Sequence, residues 1–538
     1  MPRLKLGPVL RHVDEDSATV WVETDAPATV AILGGSERTW SVSGHHYALV
    51  EIAGLAPGSS TAYDVRLDGE VVWPPADTAY PSPLIRTRAP DQPLRMIYGS
   101  CRYASPETAS ASMEDDALAA YAAELVTADA DRRPDLLLML GDQVYADETS
   151  DAMQDFIASR RDLHRPPGAD VADFCEYTKL YEESWGDPAI RWLLSTVPTA
   201  MIFDDHDVRD DWNTSESWRA EMKATDWWQE RIVSGLSSYW VYQHIGNLSS
   251  AQLRADPIYD RVRASGDATA MVRGHAAAAD RVGDGEPGPS WSYGRDIGRV
   301  RLLVLDTRAG RVVSARERAM LCDGDFAWLE GQLAGAVDHV VIGTSLPWLM
   351  PPALHELETA TEAIAAGSRG PRLAGLGEKA RRASDLEHWA AFRTSFDRLA
   401  AAIGALARGE RGPAPATICV LSGDVHHAYV ARARIPSSVS RVYQLVCSPM
   451  HNEVQEVMHL AFRLSWSRAM TALVASLRRL GKGPGTDLTW ERSAGPFFGN
   501  EIATLVLDGR EATASLQRVV RRDGRVALET VDERSLTS

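Results

Sequence analysis

Two patterns of hydrophobic and polar positions divide the chain near residue 90. Before it, short runs rich in β-branched residues, such as residues 18–23 and 29–33, alternate with turn residues. This pattern predicts an all-β sandwich over residues 1–90. After it, apolar runs that end in a small or acidic residue alternate with helical patterns. That alternation predicts an α/β domain over residues 91–538.

The N-terminal part contains one more specific signal. Residues 55–67 hold a Leu-x-Pro turn followed by Tyr63 at the head of a strand. This arrangement resembles the tyrosine corner of fibronectin-type-III-like domains. The resemblance implies a small sandwich in which Trp21 fills the core between the two sheets. Nothing in this part of the sequence indicates catalysis.

Within the α/β part, one apolar run stands out. Leu136–Leu140 is followed by Gly141 and Asp142, a pattern typical of a strand buried on both faces. In open α/β sheets, ligands bind at the carboxyl ends of the strands, where Asp142 lies. By itself, Asp142 is equally consistent with a helix N-cap and with a metal ligand. Other segments of the chain are needed to decide between these interpretations.

Two further segments complete the predicted organisation. Residues 256–290 are polar and lack a clean period, so we interpret them as a surface insertion, with a lid as one possible role. Residues 501–507, 512–516 and 526–528 alternate again between apolar and polar positions. They are predicted to be antiparallel strands that close one edge of the sheet.

Charge and composition argue against several classes of protein. A formal net charge of −18 argues against nucleic acid or an anionic membrane as the main partner. The five cysteines show no CxxC spacing, which argues against a zinc knuckle or a disulfide framework. No stretch approaches the ~20 apolar residues of a membrane span, and the N-terminal residues show no signal-peptide pattern or twin-Arg pair. We therefore predict a cytoplasmic protein without a membrane span and leave the oligomeric state open.

Four segments that follow predicted strands carry the unusual chemistry. A solvated acidic loop is the ordinary explanation for acid-rich sequence, but such a loop rarely follows a buried strand directly. The donor types are a thiolate, a phenolate, carboxylates, an amide and imidazoles, which suit two or more metal ions of different character. Clustered metals are used for displacement at phosphorus. The segments contain Cys101 and Arg102; Asp142 and Tyr145; Asp205, His206 and Asn213; and Asp424 and His426.

The same segments carry a family resemblance. Ser-Cys, Gly-Asp-x-x-Tyr, Asp-Asp-His-Asp with a downstream Trp-Asn, and Ser-Gly-Asp-Val-His occur here in this order. The set resembles the motifs of the alkaline phosphatase D (PhoD-like) family within the calcineurin-like metallophosphoesterase superfamily. The resemblance covers nearly the whole chain. It implies a four-layer sandwich of mixed β-sheets flanked by helices, preceded by the small all-β domain.

The resemblance also implies roles for individual residues. A ferric ion is expected on the four ligands Cys101, Asp142, Tyr145 and His426. Asp142 is expected to bridge to divalent positions, occupied by Ca²⁺ or alternatively by Mn²⁺ or Mg²⁺, whose other ligands are Asp205, Asp424 and Asn213. Asp207 stands where the family usually has Glu, which implies a structural role for it.

The resemblance implies a metal-dependent phosphoesterase that hydrolyses phosphomonoesters, phosphodiesters or both. A metal-activated hydroxide would attack phosphorus at the centre held by Asp142. Arg102 would bind a phosphate oxygen. His206 would act as general acid for the leaving group, or would only orient the attacking water. The alternative is a non-catalytic binding protein that uses its N-terminal sandwich as an interaction module. A small-molecule phosphate ester is the expected partner under the first hypothesis.

Overall fold

The computed structural model describes residues 1–89, 91–104, 115–129, 132–314, 317–383, 386–452 and 456–538. The predicted domain boundary at residue 90 therefore lies outside the described residues. The strands are β1 (Leu4–Val13), β2 (Ser17–Thr24), β3 (Thr29–Ile32), β4 (Gly35–Arg38), β5 (Trp40–Val42), β6 (His45–Ala53), β7 (Ser60–Ala62), β8 (Val65–Leu67), β9 (Glu70–Trp73), β10 (Leu84–Arg86), β11 (Leu94–Gly99), β12 (Leu136–Leu140), β13 (Thr199–Ile202), β14 (Tyr293–Ile297), β15 (Val300–Leu305), β16 (Val312–Ser314), β17 (Glu317–Ala319), β18 (His339–Thr344), β19 (Thr417–Ser422), β20 (Ala428–Arg434), β21 (Arg441–Val446), β22 (Thr489–Phe497), β23 (Glu501–Asp508), β24 (Glu511–Arg522) and β25 (Arg525–Ser535).

Helices fill most of the connections between the strands of the α/β part. The helices are α1 (Ala117–Thr127), α2 (Asp151–Ala158), α3 (Phe174–Trp185), α4 (Pro188–Thr196), α5 (Glu216–Lys223), α6 (Trp228–Ser238), α7 (Ile245–Asn247), α8 (Ser250–Ala255), α9 (Tyr259–Ala264), α10 (Thr269–Asp280), α11 (Asp323–Gln332), α12 (Pro352–Ala365), α13 (Pro371–Arg382), α14 (Arg393–Ala407), α15 (Glu456–Ser465) and α16 (Arg468–Gly481). In the described part of the chain, no helix is long and apolar enough to cross a membrane.

The N-terminal domain is a β-sandwich, as predicted. One sheet has the strand order β1-β2-β6-β5 and the other β4-β3-β8-β9. Alternate side chains of β2, such as Val20 and Val22, point into the core between these sheets. Trp21 points the other way and packs on Trp185 and Tyr242 of the α/β domain, with ring centroids 6.2 and 5.1 Å apart. The prediction that Trp21 fills the inter-sheet core is therefore wrong.

Tyr63 also connects the two domains. Its hydroxyl donates a 2.6 Å hydrogen bond to the carbonyl oxygen of Ser195, at the end of α4. Nearby, the Arg191 guanidinium lies over the Trp73 ring at 4.8 Å and donates a 2.6 Å hydrogen bond to the Gly7 carbonyl. The tyrosine at the strand head thus fastens the sandwich to the α/β domain. Polar and aromatic contacts together hold the two domains in a defined orientation.

The α/β domain contains two large sheets that pack face to face. Their strand orders are β13-β12-β11-β23-β24-β25 and β14-β15-β18-β19-β21-β20-β22. Alternate residues of β18 divide between two cores: Val341 faces the other sheet, while Ile342 packs with α11 and α14. On the far side of the first sheet, α1 contacts β23 and β25. The result is the four-layer arrangement of mixed sheets and helices that the family resemblance implies.

Parallel strands bring their carboxyl ends to one rim. β11, β12 and β13 are parallel neighbours in the first sheet, and β19 runs parallel to β18 and β21 in the second. The two rims touch at Gly423, where a Cβ would lie 1.8 Å from Ser100 Oγ. The strands β23, β24 and β25 are antiparallel and form the edge of the first sheet, as predicted.

The segment 256–290 is helical rather than irregular. It forms α9 and α10, which bury Val262, Val272 and Ala276. Helix α10 packs against α6, and Gly266 before it accepts a 3.1 Å hydrogen bond from the amide of Ser41 in the sandwich. The sequence pattern is weak because α9 buries only Tyr259 and Val262, and two of the four buried residues of α10 are alanines. The segment also contacts the α/β domain, where Asp280 and Asp284 each accept a 3.0 Å hydrogen bond from Arg219, and a role as a lid stays a prediction.

Candidate metal centre

Three carboxylates meet where the rims come together. Asp142 follows β12, while Asp204 and Asp205 follow β13, so the parallel pairing of these strands sets them side by side. One oxygen from each side chain lies within 4.8 Å of the others, and all three residues are buried. Burial and the neighbouring carboxylates of Asp204 and Asp205 raise the pKa of Asp142 well above its usual value. Such a cluster is costly unless a cation neutralises it.

The backbone at this rim is strained. Five predicted ligands have positive φ, a conformation that L-residues rarely adopt: Cys101 (54°), Asp142 (49°), Asn213 (63°), Asp424 (66°) and His426 (47°). In the described residues they account for five of the twelve non-glycine positions of this kind. Strain of this type persists where the surrounding structure enforces it, and it concentrates at functional sites.

Arg308 is the one fixed cation in the centre of this cluster among the described residues. It follows β15 and is fully buried. Its guanidinium forms ion pairs with Asp204, with Glu387 at 2.5 Å and with Asp205 at 3.2 Å. Ser345 Oγ donates a 3.0 Å hydrogen bond to the Asp204 oxygen that Arg308 contacts. Arg308 therefore neutralises one side of the acidic cluster and leaves the Asp142 side open.

Cys101 and Tyr145 lie on the Asp142 side. Burial and the carboxylates of Asp142 and Asp424 raise the pKa of the Cys101 thiol. Ser100 Oγ and Ser448 Oγ lie 3.1 and 3.2 Å from its sulfur. Burial, Asp142 and Cys101 likewise raise the pKa of the Tyr145 phenol. A nearby cation would reverse these shifts and stabilise the thiolate and phenolate.

His206 and Asp147 form an ion pair at the open side of the cluster. His206 Nδ1 lies 2.9 Å from Asp147 Oδ1. Burial alone would lower the pKa of His206, but the carboxylates of Asp147, Asp205 and Asp142 raise it well above its usual value. The pKa of Asp147 falls to about 2: burial opposes the change, but His206 outweighs it. The Tyr145 ring lies 4.7 Å from the imidazole. The pair can hold and deliver a proton at this position.

Asp424 and His426 complete the second rim. His388 Nε2 lies 3.0 Å from Asp424 Oδ2, and His388 Nδ1 lies 2.8 Å from Glu358 Oε1. This chain of hydrogen bonds orients the Asp424 carboxylate. Burial is the main cause that lowers the pKa of His426 to about 4, so its imidazole is neutral and able to bind a metal.

Two residues of the predicted set have other partners. The Arg102 guanidinium pairs with Asp116 at 2.8 Å and donates a 2.6 Å hydrogen bond to the Ser184 carbonyl, so it does not point into the carboxylate cluster. Asn213 Nδ2 donates to the Arg308 carbonyl at 2.9 Å, and Asn213 Oδ1 accepts from Arg219 at 2.6 Å. The proposed roles of Arg102 and Asn213 therefore stay predictions.

Asp207 sits behind the cluster. One carboxylate oxygen accepts hydrogen bonds from the amides of Asp204 (2.9 Å) and Gln143 (3.4 Å), and the other accepts one from Gln243 (3.2 Å). Burial raises its pKa to about 7. These contacts tie the two acidic loops to each other. They match the structural role expected for Asp207.

Four residues at the site are not predicted by the sequence motifs. Asp204 belongs to the acidic run after β13, but the sequence motifs do not predict its place in the triad. Arg308 follows a buried strand, which was a usable signal. Glu387 and His388 follow no strand and lie in a connection before α14, so no local pattern marks them.

The donor set can be tested for its fit to metal ions. Asp142 Oδ1 and Asp204 Oδ2 are buried and have no hydrogen-bond partner among the described residues. Orphaned carboxylate oxygens are expensive inside a protein unless they bind a cation. The oxygens, the neutral imidazole of His426 and the thiol of Cys101 are all recognised metal donors. The residues present therefore fit a metal centre at this position.

Comparisons with known proteins concern the family and the fold of this chain. Residues 109–479 match the family described as "PhoD-like phosphatase", and residues 1–85 match a "Domain of unknown function (DUF7800)". A search of curated protein sequences found no match. Among solved structures, "Structure of PhoD" is similar with a TM-score of 0.59 and 14% identity, covering 99% of this chain and 92% of that one. Purple acid phosphatase PPD1 from yellow lupin (Lupinus luteus) seeds has a TM-score of 0.46 and 11% identity, covering 98% and 73%.

Proposed function

This chain belongs to the PhoD-like phosphatase family, and on that premise we propose that it is a metal-dependent hydrolase of phosphate monoesters, diesters or both. The observation that carries the proposal is the buried triad Asp142, Asp204 and Asp205, with two oxygens lacking a partner among the described residues. A phosphate ester is the substrate class that family membership implies.

We assign the metal ligands as two groups. Cys101, Asp142, Tyr145 and His426 would hold a ferric ion, and Asp142, Asp205, Asp424 and Asn213 would hold divalent ions, with Ca²⁺ preferred over Mn²⁺ or Mg²⁺. Bound ions would supply Lewis acidity and an activated nucleophile. Phenolate and thiolate favour a trivalent ion, whereas carboxylate and amide oxygens favour hard divalent ions.

The remaining residues act on protons and orientation. His206 would give its Nε2 proton to the leaving oxygen, while its Nδ1 stays hydrogen-bonded to Asp147. His388 would hold the Asp424 carboxylate in place through the 3.0 Å contact. Arg308 would hold Asp204 in place and oppose the rise that burial causes in the pKa of Asp204. Arg102 would need to leave Asp116 before it could bind a phosphate oxygen.

Substitution of the central acid tests the activity. Asp142→Asn keeps the shape of the side chain but removes the charge, so turnover of a chromogenic phosphodiester should be abolished. Asp260→Asn, on the exposed surface of α9, is the matched control and should retain full activity. Retained turnover in the Asp142→Asn variant would remove Asp142 from the centre of the mechanism.

Metal identity has its own readout. A Tyr145 phenolate on ferric iron should give the purified protein a visible charge-transfer band, which Tyr145→Phe should eliminate. Elemental analysis should find iron together with a divalent ion. A colourless protein that contains no iron would refute the ferric assignment and leave the phosphoesterase proposal standing on the divalent ions.

No observation among the described residues favours the alternative of an interaction module. The aromatic side chain of Trp21 and the hydroxyl of Tyr63 face the α/β domain. We therefore propose that the sandwich supports the α/β domain. Removal of residues 1–89 should lower the free energy of unfolding of the α/β domain, which chemical denaturation would measure.

A further inference from the structure

The exposed apolar side chains are concentrated in one part of the described chain. Eight of the thirteen large hydrophobic residues that are exposed there belong to helices α13, α15 and α16. We call these eight the leucine surface: Leu373, Leu376, Met458, Leu460, Leu464, Leu473, Leu477 and Leu480. Leu460, Leu473 and Leu480 are 63%, 60% and 64% exposed. Helices α13 and α16 both pack on α12, and α15 contacts α16, so the eight side chains lie on neighbouring helices. Concentrated apolar exposure is a feature of interaction sites.

The helices are amphipathic, so the exposure is not an accident of a single position. Leu473, Leu477 and Leu480 recur at spacings of four and three in α16 and share one face. A neighbouring face of the same helix is buried: Val474 and Gly481 lie on it, and α16 packs against α12. One apolar face is thus used within the protein, while the leucine face next to it is left open.

The local charge is opposite to the charge of the whole chain. Residues 456–482 contain five Lys and Arg residues and one acid, in a protein of net charge −18. Arg478 pairs with Glu356. For the other four, Arg463, Arg468, Arg479 and Lys482, no carboxylate lies within ion-pair distance among the described residues. In the described part of the chain, the helices therefore combine an open leucine face with cations that have no carboxylate partner, and one of these, Arg463, lies over the Phe498 ring.

We propose that α15 and α16 dock on an anionic lipid bilayer, with the leucine surface entering the headgroup boundary and the cations contacting lipid phosphates. Leucines with flanking Arg and Lys on amphipathic helices are the composition that binds such surfaces. A two-fold dimer would place this patch against itself. In such a dimer the four cations of one copy would face the same four cations of the other. Because like charges repel, a second copy fits this surface less well than an anionic bilayer.

The position of α15 and α16, which form a helical hairpin over residues 456–481, connects this surface to the metal centre. The Phe462 ring, on the inner side of α15, lies 4.2 Å from the His427 ring, next to the predicted ligand His426. The Trp466 ring, between α15 and α16, lies 5.2 Å from the Tyr429 ring of β20. Docking of the hairpin would therefore hold the rim that carries Asp424 and His426 close to the membrane surface.

Vesicle sedimentation with the full chain tests the proposal without relying on enzymatic activity. The protein should sediment with vesicles of equimolar phosphatidylcholine and phosphatidylglycerol and not with pure phosphatidylcholine. The combined variant Leu473→Ser, Leu477→Ser and Leu480→Ser should lower the apparent partition coefficient at least tenfold, because apolar burial drives insertion. Arg479→Gln and Lys482→Gln should each lower it about fivefold.

Matched variants and one alternative outcome make the test decisive. Val71→Ser and Val439→Ser change exposed valines elsewhere, and Arg261→Gln removes a cation on α9, so none of these should alter sedimentation. Equal binding of the serine variant, or equal binding to neutral vesicles, would overturn the proposal. So would a dimer, seen by light scattering, that the serine variant converts to monomer, because a second copy would then cover the surface.

Discussion

Replacement of Asp147 with asparagine isolates the proton relay at the open side of the centre. The substitution preserves the size of the side chain and removes its charge. It also replaces one acceptor oxygen with a donor, so with the amide oxygen toward His206 the 2.5 Å hydrogen bond from the Asp210 amide is lost. Asp147 Oδ1 lies 2.9 Å from His206 Nδ1, and the two side chains are 8% and 17% exposed. Because the pair is largely buried, solvent screening reduces their interaction only slightly.

The size of the effect follows from the hydrogen bond. A bond between charged partners contributes about 1.5–3 kcal/mol, against about 0.5–1.5 kcal/mol for a neutral bond. The loss of about 1–1.5 kcal/mol corresponds to roughly one pH unit. In the folded protein the pKa of His206 is raised, because the carboxylates outweigh burial. The asparagine variant should lower that pKa by about one pH unit.

The pH dependence of kcat is the measurement. A general acid must be protonated, so the rate falls as pH rises through the pKa of His206. With an alkyl phosphodiester, whose leaving group needs a proton, the falling limb of Asp147→Asn should lie about one pH unit below that of the unmodified enzyme. With a nitrophenyl ester, whose leaving group needs no proton, the variant should retain most of its rate.

The control is Glu148→Gln, which removes the exposed acid next to Asp147. This variant should leave the falling limb of the pH dependence of kcat unchanged. If the falling limb of Asp147→Asn coincides with that of the unmodified enzyme for the alkyl ester, His206 is not the general acid or Asp147 does not set its pKa. Equal losses with both esters would indicate that His206 only orients water.

Three other expectations concern stability. Gly423→Ala places a Cβ against the opposite rim and should lower the free energy of unfolding, measured by chemical denaturation, by about 1–3 kcal/mol. As a control, Gly274→Ala, in α10 with open space around it, should raise the free energy of unfolding by up to about 1 kcal/mol. Tyr63→Phe removes a buried 2.6 Å hydrogen bond and should lower the free energy of unfolding by about 1–2 kcal/mol. Tyr80→Phe, on a half-buried ring, is its control, and equal denaturation midpoints for the two variants would contradict the role of the Tyr63 hydroxyl. Chelation should lower the Tm and abolish turnover, because the carboxylates around Asp142 repel one another without cations; an unchanged Tm after verified metal removal would contradict this.

The sequence predicts much of the fold because buried strands need continuous apolar runs. The run Leu136–Leu140 predicted a parallel strand, and β12 has two parallel neighbours. The sequence does not predict the helices α9 and α10, because α9 has only two buried residues and two of the four in α10 are alanines, which leaves too weak a period to detect.

By itself, the sequence determined where strands end and which donors follow them, since both are local properties. Asp142, Asp205 and Asp424 were found in this way. The tertiary structure decided which distant groups meet them: Arg308 and His388 reach the cluster from other connections. It also decided that Trp21 faces the second domain. Alternation along a strand separates two faces but does not reveal what covers each, because that depends on how the layers pack.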